Sequence, residues 1–193
     1  METIPSADQR REMKARKLYL AVLPVVLAGA LMGCSDTPKS PAVTDNIRKS
    51  LDQAGYKDVS VSQDRDKGVV TLTGTVPTDS DKAQAESIAK SGAGSQVVAD
   101  QIAVRPPGNE SDAKTVDSDM DKAIEKNLDA ALVKSKLQKN VSYDVKNGVV
   151  TLKGDVMSQS RRSQVEKVAS GVPNVKQVVN ELEVKGQKAS SSS

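Results

Sequence analysis

The stretch Gly68–Val76, GVVTLTGTV, returns eighty residues later as Gly148–Val156, GVVTLKGDV. From Gly68 onward thirteen of thirty-seven positions are identical, and the copies align without a gap from Val61/Val141 through Val104/Val184. Self-similarity at one long, fixed spacing means a duplicated folding unit rather than a single large domain. The 193 residues are therefore two small units and whatever flanks them.

The pattern within each copy gives the element order. Val43, Ile47, Leu51 and Ala54 recur at helical spacing, as do Ile124, Leu128, Ala131 and Leu132 in the second copy. Asp45 and Asp121 are expected near the helix starts, where the macrodipole favours a carboxylate. Val59 and Val61, and then Val141, Tyr143 and Val145, alternate as a first strand. Asn147-Gly148 is a two-residue hairpin turn, because both residues tolerate positive φ; the run Asp64–Gly68 makes the first connection longer.

In the repeated stretch, Val70, Leu72 and Val76 point one way, as do Val150, Leu152 and Val156, while Thr71, Thr73 and Thr75 point the other. This predicts a sheet with one buried and one wet face. Gly74 and Gly154 interrupt both copies at the same place, which implies a bulge or close approach of a covering helix. A ligand approaching the backbone is the alternative. A second helix follows, with Ala85, Ile88 and Ala89 matched by Val165, Val168 and Ala169, and with Thr78 and Ser158 as N-caps. Val98, Ile102 and Val104, matched by Val178, Leu182 and Val184, close each unit with a strand.

The expected fold class is α+β: two tandem αββαβ domains, each a three-stranded sheet packed with two helices. They span residues 42–105 and 116–186, joined by a Pro- and Gly-containing linker at 106–115. Units this small bury only about 60% of their unfolded surface, which leaves room for one to pack on the other.

The flanks differ in kind. Arg10, Arg11, Lys14, Arg16 and Lys17 precede the apolar run Leu18–Leu31, so residues 1–33 read as a secretory signal. Leu31, Gly33 and Cys34 resemble the lipobox of bacterial lipoproteins, with Met32 in place of the usual small residue. That resemblance implies cleavage before Cys34, acyl chains on its sulfur and its amine, and, with Ser35 following, sorting to the outer membrane facing the periplasm. Residues 34–41 are then a lipidated, flexible tether and 187–193 a disordered tail.

The αββαβ order, the GVVTLxGxV strand and the closing VVNELEV together resemble the BON domain of bacterial osmotic-stress and nodulation proteins, over most of residues 41–186. A lipobox followed by two such domains is similar to outer-membrane lipoproteins. The resemblance implies phospholipid interaction, envelope integrity and stress protection, and it supplies no catalytic residues.

The residues themselves point away from chemistry. There is no histidine, and Cys34 is the only cysteine, so the usual nucleophile–base pairs and zinc sites have no material. Asp64, Arg65 and Asp66 form the nearest charged cluster, but a turn is where acidic residues serve local hydrogen bonding. Gly92-Ala93-Gly94 lacks the Lys-Ser/Thr of a phosphate loop. The chain is read as a non-enzyme that needs no cofactor or metal. A net charge of +3 and three tyrosines as the only aromatic residues offer nucleic acid neither a basic footprint nor a stacking platform.

Charge does separate the copies. Residues 41–110 hold eight basic and ten acidic side chains, whereas 116–188 hold thirteen and ten. Thr73, Asp81, Lys82 and Ser87 are matched by Lys153, Arg161, Arg162 and Lys167. Arginines in the first turn of a helix oppose its dipole, yet its free N–H groups and guanidinium forks suit phosphate oxygens. These four cations form a candidate site for anionic phospholipid headgroups, the plain alternative being a solvated basic face. The other functional reading is a scaffold for envelope proteins or peptidoglycan, with lipid contact from the acyl chains alone.

Overall fold

A computed structural model describes residues 39–185. The signal segment, Cys34 and the 187–193 tail lie outside the described residues. The first copy comprises α1 (Thr44–Gln53), β1 (Val59–Asp64), β2 (Val69–Val76), α2 (Asp79–Ala93) and β3 (Val97–Val104). The second comprises α3 (Glu110–Lys134), β4 (Val141–Lys146), β5 (Val149–Val156), α4 (Gln159–Ser170), β6 (Gln177–Asn180) and β7 (Glu183–Val184). In each, a tight hairpin makes the first strand pair antiparallel to the second. A helical crossover then lays the last strand parallel to the second.

Both N-caps form as the sequence indicates: the Thr78 and Ser158 side chains accept from the backbone N–H of Asp81 and Arg161. Helices cover one face of each sheet. Ile47, Leu51, Ala85 and Ala89 bury Val70, Leu72, Val76 and Ile102; Leu128, Leu132, Val165 and Ala169 bury Val150, Leu152, Val156 and Leu182.

The second face is wet only in part: Thr75, Lys153 and Asp155 are exposed, but the hairpin-proximal half is covered. Val69 and Ala99 from the first sheet cluster with Val149 and Val179 from the second, and Thr151 is buried with them. The two sheets thus pack on each other through the faces their helices leave open. They run in opposite senses. The Asn147 side chain, at the β4–β5 hairpin, donates to the Gln101 carbonyl far along β3. At the other end Lys67, in the β1–β2 hairpin, pairs with Glu183 of β7. Each hairpin therefore lies against the far end of the other domain.

Three further details depart from the sequence reading. Val59 pairs with Gly74 but Val141 pairs with Gly154, so the first strands lie eighty-two residues apart, not eighty. The gapless alignment fails upstream of Gly68, and the difference is absorbed by a four-residue hairpin (65–68) against the two-residue Asn147-Gly148, both of which have positive φ. Second, α3 starts at Glu110, inside the stretch read as a linker. Asp121 accordingly sits in the helix body, and its carboxylate accepts from the N–H groups of Asn147 at 2.8 Å and Gly148 at 2.9 Å. It fastens the hairpin to the helix instead of compensating a dipole. Third, the final strand of the second copy breaks between β6 and β7, where Asn180 is drawn toward Glu166, Arg162 and Leu182; Glu181 keeps the chain on β5 by donating to Leu152.

The paired glycines are explained by backbone, not by a helix or a ligand. Gly74 and Gly154 have φ of 120° and 115°, and a Cβ on either would collide with the carbonyl oxygen of Asp58 or Asn140, just ahead of the neighbouring strand. Gly154→Ala should therefore destabilise the protein by at least about 1–3 kcal/mol, read as a lower urea midpoint. An unchanged midpoint would show that the approach is not obligatory.

Candidate functional site

The four cations singled out from the sequence do not converge. Lys153 is exposed on β5, facing away from α4 and toward Glu181, whose carboxyl is raised by burial and opposed by Lys153. Lys167 is exposed on α4. Arg161 donates to the Lys136 carbonyl at 2.8 Å and Arg162 to the Asn180 carbonyl at 2.9 Å. Arg162 also buries its Nε without a hydrogen bond among the described residues. Its matched residue, Lys82, donates to the Ile102 carbonyl at 2.7 Å. Both positions tie a helix to the last strand, which is a structural use of the charge.

The outer edge of β3 shows the same economy. Gln177 accepts from Asp100 N–H at 3.1 Å and donates to the Val98 carbonyl at 2.7 Å, the way a neighbouring strand would. Asp100 accepts from Ile102 N–H at 3.1 Å, Lys82 takes the Ile102 carbonyl, and Arg105 takes the Val104 carbonyl. Side chains thus occupy the groups that would otherwise template another strand. Periodicity could not signal this, because two of the partners, Lys82 and Gln177, come from other parts of the chain.

Asp100 is the charged member of that seal and is only 6% exposed. Burial raises its carboxyl above the usual range, with the Lys82 ammonium opposing at 3.7 Å. A carboxyl raised by folding stabilises the fold while protonated, and that contribution is lost as pH rises through the raised value. Asp100→Asn, the residue the second copy carries at 180, keeps an oxygen for Ile102 and removes the titration. Its urea midpoint relative to wild type should improve as pH rises from about 4 to about 7. A pH-independent difference would remove Asp100 from the account.

A different set of residues gathers at one end of the second domain. Met157 is 74% exposed, the most exposed large hydrophobic residue among those described. It leads into the start of α4, where Arg161 reaches the Lys136 carbonyl. Asn140 accepts from Asp155 N–H, which places the turn carrying Lys136 and Lys139 beside the same strand end. Lys185 donates its backbone N–H to Val156, next to Met157. The backbone thus brings Lys136, Lys139, Arg161 and Lys185 to the strand end that carries Met157, together with two carboxylates, Asp155 and the Glu183 paired with it. Sequence comparison missed it because three of these four cations lie outside the repeat strand and its helix.

Carboxylates gather at the opposite end, interleaved with Arg105, Lys122 and Lys176. Asp79 and Asp81 lie in the first turn of α2, and Glu110, Asp112, Asp117 and Asp119 in the first turns of α3, which leaves the end of β3. Asp117 pairs with Arg105 across the domain junction. Nearby, a cavity of about 300 Å³ lies between α3, the β4–β5 hairpin and Asn174–Lys176, but its carboxylates, Asp117 and Asp121, are held by structural partners. Asp64 is likewise a turn residue, its Oδ1 accepting from the N–H groups of Asp66 and Lys67. No group of metal-ligating side chains occurs among the described residues.

Comparison with known proteins is consistent with this architecture. The BON domain family matches twice, at residues 40–106 and 120–186. Osmotically-inducible protein Y of Escherichia coli (strain K12) is 31% identical over 147 residues, covering 75% of this chain and 72% of its own length. Two solved structures of CdsD, a structural protein of the type III secretion system of Chlamydia trachomatis, align at 15% and 14% identity with TM-scores of 0.30 and 0.33. They cover 74% and 72% of this chain, which spans 65% of the first and 90% of the second.

Proposed function

This chain belongs to the BON-domain family, and on that premise we propose that it is a non-enzymatic lipoprotein of the outer membrane that faces the periplasm and rests on phospholipid. Acylation of Cys34 supplies the anchor, since more than one chain is needed for stable attachment. The observation that carries the reading is the end of the second domain, where Met157 is exposed and the backbone brings Lys136, Lys139, Arg161 and Lys185 to the same strand end. The methionine can enter the interfacial region while the cations meet anionic headgroups, each worth about 1 kcal/mol near such a surface. The name of the E. coli relative supports a role in osmotic stress, where the envelope is under load.

Arg162 is reassigned from headgroup contact to the fold, and Lys153 and Lys167 lie apart from the cluster. A soluble form beginning at Ser35 should co-float with vesicles containing phosphatidylglycerol and not with phosphatidylcholine alone, and salt should weaken the binding. Met157→Glu combined with Lys139→Glu should abolish flotation, whereas Lys167→Glu should leave most of it. Equal binding to both vesicle types, or none, would overturn the headgroup contact and favour the protein or peptidoglycan scaffold.

A further inference from the structure

The tether does not end where the first domain begins. Lys39–Pro41, expected to be flexible, are strapped across the β1–β2 hairpin. Ser40 donates its N–H to the Arg65 carbonyl at 2.9 Å, and Arg65 Nε donates back to the Ser40 carbonyl at 2.7 Å. The Pro41 carbonyl accepts from Gln63 at 2.7 Å and from Gln96 at 3.2 Å. Lys39 adds an exposed ion pair with Asp66 at 3.2 Å. Gln63 turns its other amide atom to the Val43 N–H at 3.2 Å, so one side chain holds both the strap and the start of α1.

This strap lies at a particular end of the molecule. Because the two sheets run in opposite senses, the hairpin it crosses abuts β7 through the Lys67–Glu183 pair. β7 pairs with Asp155 and Val156, the residues immediately before Met157. The chain thus enters the first domain beside the Met157 end of the second, and the acidic starts of α2 and α3 lie at the far end.

We infer that the strap fixes which end of the molecule faces the bilayer, presenting a second-domain surface to the membrane from an anchor attached to the first. With Lys39–Pro41 fastened, the chain from Cys34 to Lys39 spans at most about 17 Å. Released back to Thr44, the free chain would reach about 35 Å, close to the roughly 37 Å length of α3. That is slack enough for the acidic end to reach the membrane. The inference rests on the acyl anchor proposed above but not on headgroup binding.

The test uses the full lipidated protein in neutral phosphatidylcholine vesicles, where headgroup attraction cannot set the orientation. Acylated Cys34 offers no free thiol, so a cysteine placed by Lys139→Cys or Asp79→Cys is the unique labelling site. A fluorophore at 139 should be quenched several-fold more strongly by quencher-bearing lipid than one at 79. The triple variant Gln63→Ala, Arg65→Ala and Gln96→Ala should bring that ratio toward one. Inserting a flexible Gly-Ser segment between Pro38 and Lys39 should do the same without touching the domain. A wild-type ratio near one, or a ratio that survives both changes, overturns the inference. Failure of the soluble form to float would instead sink the headgroup reading and leave this one standing; an unmodified Cys34 by mass spectrometry would sink the anchor beneath both.

Discussion

Four small aliphatic side chains set the shape of this molecule. Val69 and Val149 occupy matched positions in the two copies, as do Ala99 and Val179, and all four are buried together between the sheets. A patch that meets its own duplicate obeys the geometry of a two-fold contact, in which the partners run in opposite senses. The sheets have three and four strands, β6 and β7 both lying on β5, and each carries helices on one face only, too small to be generous with its core. Closing the second face against a copy of itself lets two modest cores support each other.

The antiparallel arrangement decides where everything else lies. It brings the β1–β2 hairpin to the far end of the second domain and the β4–β5 hairpin to the far end of the first. It also lets Gln177 act as a substitute strand along β3, so the junction seals an edge as well as a face. α3 spans the assembly: Asp117 holds Arg105 of the first domain, and one turn later Asp121 holds the hairpin of the second. Two carboxylates at helical spacing thus make the connection between domains a strut and not a loose linker.

A second consequence is electrical. The copies differ only modestly in net charge, but their opposed packing places the acidic starts of α2 and α3 at one end and, at the other, Lys136, Lys139, Arg161 and Lys185 beside the carboxylates Asp155 and Glu183. Met157, at the end that carries Lys136 and Arg161, is the most exposed large apolar side chain among the described residues.

The duplication was legible as self-similarity along the chain, and the αββαβ order, the N-caps Thr78 and Ser158 and the Asn147-Gly148 turn were legible because each depends on residues close together in sequence. Local sterics and hydrophobic periodicity are written at that range. The role of Gly74 and Gly154, the partial burial of the face expected to be wet, the use of Arg162 and the approach of the Lys136 turn to the start of α4 were not. Each depends on atoms brought together from distant segments: a carbonyl at Asp58, a facing sheet, a strand end at Asn180, a turn at Lys136. The chain by itself determined which elements form and that they form twice. Only the packing of one copy against the other decided which surfaces remain for a partner, because a side chain's neighbours across a fold follow from the relative orientation of the layers, and no periodicity along a single strand records that.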